Sequence, residues 1–189
     1  MTTFTTAVAA SSDDAQETSG TVNLTATVLN ANSTAQITAL RFAGVTVPPG
    51  STINSAYLTI NITSATYDDP DVTVRSSGEA NPATFNTDAG HVTNRAKSAA
   101  FVSWIASNIG AGARNSPDLA ALVAETITLP GWASGNAIAF YLTGNSGASS
   151  IRCAGYDSGS NYPQRTIDYT APSAGGQPRR TMHQFRLRG

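Results

Sequence analysis

Cysteine occurs once in the 189 residues, at Cys153. A single thiol excludes an intrachain disulfide and any metal site built on several cysteines. Histidine occurs twice, at His91 and His183, with no second histidine at ligand spacing, so a histidine-based metal centre is not expected. Charge is scarce: eleven Lys/Arg against twelve Asp/Glu leave a net −1. Leu, Ile, Val and Phe together make up only about a fifth of the chain. No apolar run approaches the roughly 20 residues needed to cross a bilayer. Met1-Thr2-Thr3-Phe4 has neither the basic n-region nor the apolar h-region of a signal peptide, so synthesis without export is expected. The glycosylation-type triplets at Asn23, Asn32 and Asn61 are then expected to be coincidental.

A low apolar fraction marks disorder when net charge is high. Here the polar residues are Thr and Ser, and Thr favours strands. The chain therefore reads as ordered and β-rich, with a narrow core. Alternation of apolar and polar residues predicts strands at 4–8, 21–28, 37–42 and 55–62, around Val72 and Val74, at 100–104, and at 151–156 and 165–169. Residues 136–143 are apolar on both faces, which predicts a central strand. Val45-Thr46-Val47 ends in a Pro48-Pro49-Gly50 turn, and Asn81 to Asn94 is irregular. One helix is predicted. Ser116 is its N-cap and Pro117 its first residue; Leu119, Leu122, Val123 and Ile127 form its apolar stripe, and Pro130-Gly131 stops it. Nine or ten short strands and one helix predict an all-β, jelly-roll-type β-sandwich over residues 1–170.

Residues 171–177 have linker composition. Residues 178–189 then carry Arg179, Arg180, Arg186 and Arg188 and no acid. The tail is about +4 and the preceding body about −5. From His183 to Arg188, the residues His183, Phe185 and Leu187 alternate with Gln184, Arg186 and Arg188. An extended segment of that pattern has one apolar and one basic face, suited to strand addition or to insertion into an acidic groove. Arg179, Arg180, Phe185, Arg186, Leu187 and Arg188 are the expected partner-binding residues. A solvated tail is the bland alternative. Nucleic acid is a weaker candidate partner, because the body has no matching basic patch.

Three blocks carry a resemblance: Leu40-Arg41-Phe42 through Pro48-Pro49-Gly50 to Tyr57-Leu58, then Ser116-Pro117-Asp118-Leu119, then Pro130-Gly131-Trp132 to Ile138. With Ser11-Ser12-Asp13-Asp14-Ala15-Gln16-Glu17 and Tyr156-Asp157, they resemble the DNRLRE-like β-sandwich domains over most of residues 11–169. That resemblance implies a non-catalytic accessory domain of adhesive or carbohydrate-associated type. A sandwich made without export looks similar to a phage virion component. The expectation is a capsid decoration or cement protein, not an enzyme and without a cofactor, on the virion surface. Its expected partners are the major capsid protein or other virion subunits, with its own copies associating on the particle.

The alternative reading is a module recognising host surface glycans. Tyr67, Trp132, Tyr156 and Tyr162 lie in or near loops, and Trp132 and Tyr162 are the candidate sugar-stacking residues. Otherwise Trp132 packs beneath the helix end and the tyrosines cap the sandwich. Two acidic stretches, Asp13/Asp14/Glu17 and Asp68/Asp69/Asp71, could supply oxygen ligands to calcium or simply form turns. Cys153, next to Arg152 on an apolar strand, is expected to be a buried small hydrophobe.

Overall fold

The computed structural model describes residues 1–65, 68–145 and 150–173. Its thirteen strands are β1 Thr2–Ala7, β2 Asp14–Thr18, β3 Thr21–Asn23, β4 Val28–Asn30, β5 Gln36–Phe42, β6 Thr52–Ile62, β7 Asp68–Asp69, β8 Asp71–Ser76, β9 Val102–Ile105, β10 Gly112–Asn115, β11 Ile138–Gly144, β12 Ser150–Ala154 and β13 Gln164–Thr170. One helix, α1, spans Ala120–Ile127. The first sheet has the order β1-β13-β6-β12-β4, with β10 also on β6 and β7 on β12. The second has the order β3-β2-β5-β11-β8-β9. Every pairing among the described strands is antiparallel. The protein is an all-β sandwich with one short helix.

Period-two alternation builds the core between the sheets. Ala56, Leu58, Ile60 and Ile62 of β6 face Leu40 and Phe42 of β5 and Phe140 and Leu142 of β11, all buried. Phe42 and Phe140 meet edge to face, with centroids 6.3 Å apart. Helix α1 packs Leu122, Val123 and Ile127 into the same core. The predicted central strand is β11, held between β5 and β8. Its second apolar face is buried by the irregular segment after β8. Phe85 and Val92 there cover Ala15, Ala39, Ala139 and Tyr141.

Glu17 ties that segment down. Its Oε2 accepts the N–H groups of Val92 at 2.8 Å and Thr93 at 3.1 Å, and its Oε1 accepts the Thr93 hydroxyl. Lys97 donates to the carbonyls of Val92 and Thr93, at 2.9 Å each, and lies 4.8 Å over the Tyr141 ring. Burial lowers the Lys97 pKa, which the Glu17 charge partly offsets.

Several expectations need correction. The strand expected at 21–28 is two strands in different sheets. The Asn23 side chain accepts the Thr25 N–H at 2.9 Å and turns the chain. Ser116 does not cap the helix. Its hydroxyl accepts the Leu58 N–H at 3.1 Å and donates to the Pro117 carbonyl at 2.7 Å. Asp118 instead receives the Ala120 N–H at 2.9 Å, and the Ala56 N–H at 2.9 Å on the same oxygen. Pro117 accordingly precedes the helix. Val45 and Val47 are buried without belonging to a strand. The turn after them closes with Ser51 N–H on the Pro48 carbonyl at 3.2 Å, and Gly50 takes the positive φ, 75°, that this turn requires.

Candidate functional site

The site candidate arises where β6 changes partner. Along one flank β6 pairs with β13 as far as Thr59–Gln164, and with β12 at Ile62–Cys153. On its other flank β10 runs from Asn115, opposite Thr59, to Gly112, opposite Ile62. In the interval between β12 and β13 the connection 155–163 leaves the sheet. Thr59, Ile60, Asn61, Ala113, Asn161, Tyr162 and Gln164 line an open groove of about 170 Å³ there. Asn161 adopts a left-handed backbone, φ 56°, which Asn tolerates better than most residues. Tyr162 stacks on Tyr156 with centroids 4.9 Å apart and planes 28° from parallel. A ring pair beside three carboxamides can stack on a sugar's C–H face and exchange hydrogen bonds with its hydroxyls.

A buried carboxyl supports this wall. Asp14 is 1% exposed, and its Oδ2 accepts the Tyr156 N–H at 2.7 Å. Burial pushes its pKa up to about 7; the Tyr156 hydrogen bond opposes the rise, and the charges of Asp157 and Asp13 add to it. Asp14 Oδ1 has no hydrogen-bond partner among the described residues. Asp157 accepts the Ser11 hydroxyl at 3.0 Å. Arg41 forms an ion pair with Asp13 and donates to the Pro82 carbonyl at 2.8 Å.

The two residues expected to stack on sugar are placed very differently. Tyr162 lines the groove. Trp132 is 7% exposed, sits in the core, and donates its indole N–H to the Val47 carbonyl at 3.2 Å. Its ring faces are used in packing, so Trp132 is withdrawn as a sugar-stacking residue. The packing alternative holds for it. Arg179, Arg180, Phe185, Arg186, Leu187 and Arg188 lie outside the described residues, as do His183 and Tyr67.

Among the described residues the acidic stretches do not gather into a cation site. Asp13 faces Arg41, while Glu17 is committed to Val92 and Thr93. Asp69 accepts the Asn108 N–H at 2.5 Å, and Asp71 accepts the Asn145 amide at 2.9 Å. Among the described residues no three His, Cys, Asp or Glu side chains are arranged to hold a metal ion. Cys153 is buried, as expected, and burial pushes its thiol pKa up to about 12, with the Asp14 charge adding to the rise. No described helix is long and apolar enough to cross a membrane.

Sequence reading passed over one residue. Arg165 is fully buried and lies 5.3 Å from the Phe4 ring centroid and 5.5 Å from that of Phe42. None of its three guanidinium nitrogens has a hydrogen-bond partner among the described residues. Burial alone pushes its pKa down to about 9. Its position, two residues before Ile167 on one strand face, was the available signal.

No known family model matches the chain, and no curated protein matches it. The DNRLRE-like resemblance therefore rests on the motifs quoted above.

Proposed function

We propose that this chain is a non-enzymatic phage structural protein. It acts as a capsid decoration or cement subunit, carried on the virion surface and attached through residues 178–189. One observation carries the reading. Among the described residues the sandwich core is assembled from residues up to Tyr169, and in the sequence a +4 segment with an apolar alternation follows a body of about −5. Such a segment is complementary in charge to an acidic neighbour. Phe185 and Leu187 supply apolar contact with the major capsid protein or another virion subunit. Arg179, Arg180, Arg186 and Arg188 supply orientation and a fast approach. Co-sedimentation with particles tests it. The full chain is expected to pellet with them, and a chain ending at residue 177 is expected to stay in the supernatant with its melting temperature unchanged. Full occupancy by the shortened chain would end this reading.

A second reading, recognition of host surface glycans, is favoured by the groove beside Tyr162. Glycan-array binding that disappears in Tyr162→Ala and Gln164→Ala, both still folded, would promote it. Binding that survives both changes would remove it.

A further inference from the structure

We infer that the open edge of β9 receives residues 183–188 of a neighbouring copy as an added strand. This rests on the tail being the attaching segment, and it names the surface the tail attaches to.

Among the described residues β9 pairs with β8 and closes the order of its sheet. Natural edges are guarded by lysine, proline or inward charges. Ala99-Ala100-Phe101-Val102-Ser103-Trp104-Ile105-Ala106 contains no charge and no proline. Trp104 is buried in the core, while Phe101 is 55% exposed and Ile105 is 70% exposed. Alternation therefore sets Phe101, Ser103 and Ile105 in one outward row.

The other sheet edges fit a six-residue guest less well. β3 and β4 have three residues each. β1 presents mostly threonine, and on β10 the side chain of Arg114 folds back on the Ile109 and Ala113 carbonyls.

The guest matches in pattern and in overall charge. Phe185 and Leu187 are two residues apart, as are the exposed positions of β9, so one face of an added strand would continue the Phe101–Ile105 row. Around β9 the structure sets three carboxylates. Glu125 accepts the N–H groups of Ala99 at 3.2 Å and Ala100 at 3.4 Å. Asp71 lies opposite Ile105, and Asp69 holds Asn108. Arg75 is a base beside them; it donates to the Ser98 and Ala99 carbonyls and lies 5.1 Å from the Phe101 ring. The guest brings Arg186 and Arg188, which fall on the face opposite to Asp71 and so meet these carboxylates only as a longer-range attraction. Between Ser173 and His183 the chain offers a leash of about 30 Å when extended, at roughly 3.3 Å per residue.

Complementation between two full-length variants tests the inference. One carries Phe101→Asp and Ile105→Asp, which removes the acceptor edge at exposed positions. The other carries Phe185→Asp and Leu187→Asp, which removes the guest. In sedimentation equilibrium the native chain is expected to self-associate, and each variant to dissociate roughly tenfold or more easily, with unchanged melting temperature. Mixed, the two variants keep one intact edge and one intact guest, and are expected to form a one-to-one dimer. A native chain that stays monomeric overturns the inference, as does an edge variant that associates normally or a mixture that stays dissociated. The virion reading fails on a different measurement, particle co-sedimentation, so loss of one is distinguishable from loss of the other.

Discussion

At the scale of single residues, two buried ionisable groups set the clearest expectations. Asp14 has a folded pKa of about 7 against an ordinary 3.8. Between those values the folded chain holds a proton that the unfolded chain has released. Its contribution to stability is therefore greatest at low pH and falls as pH rises from about 4 to about 7, by up to roughly 1 kcal/mol per pH unit. Thermal melts from pH 4 to pH 8 are expected to show this decline, and Asp14→Asn is expected to flatten it and melt higher than the native chain at pH 8. Arg165 is the second case. Two ring faces attract its charge, but its N–H edges have no acceptors among the described residues. An apolar side chain of similar length avoids that desolvation, so Arg165→Met is expected to gain about 1–3 kcal/mol in urea unfolding. A loss of stability would show that the guanidinium makes a contact not seen here. Neither pKa was legible in the sequence. Alternation told which face a residue occupies, but not whether an acceptor waits on that face.

At the scale of elements, the helix start is the sharpest test. Asp118 satisfies two backbone donors with one oxygen, one in α1 and one in β6. Asp118→Ala is expected to cost about 1–2 kcal/mol in chemical denaturation, and Ser116→Ala to act on the Leu58 N–H rather than on the helix. Glu17→Ala is expected to speed amide exchange at Val92 and Thr93 while leaving β6 protected, because it releases one covering segment and not the sandwich.

These elements also show what sequence can and cannot reveal. The long alternating runs of β5, β6, β11 and β13 were legible, because one face of each must be buried. β2 is not expected as a strand from the sequence, since Asp14-Ala15-Gln16-Glu17 looks polar. Its Asp14, Gln16 and Glu17 are all buried, through partners that lie far along the chain. β10, with Gly112 and Arg114, offers no alternation at all and is ordered by pairing with β6. The groove was legible only as Tyr162. Its carboxamides come from β6, from the 155–163 connection and from β13, which no local pattern brings together.

At the scale of the whole molecule, the proposed attachment through residues 178–189 sets an expectation for the sandwich by itself. A chain ending at Ser173 is expected to keep the native melting temperature within about 2 °C, a shift of no more than about 1 kcal/mol for a domain of this size, by calorimetry. The two sheets also differ in when they can be completed. Every strand of the sheet running from β3 to β9 lies before residue 145. The facing sheet must place β13, the last of the described strands, between β1, the first of them, and β6. As the polypeptide is synthesised, β1 waits for β13, its partner from Thr2–Tyr169 to Ala7–Gln164, until that distant segment has emerged. Assembly is therefore ordered in time, with one layer able to form before β13 is made and the other closing only after it. So separated a pairing makes for slow folding.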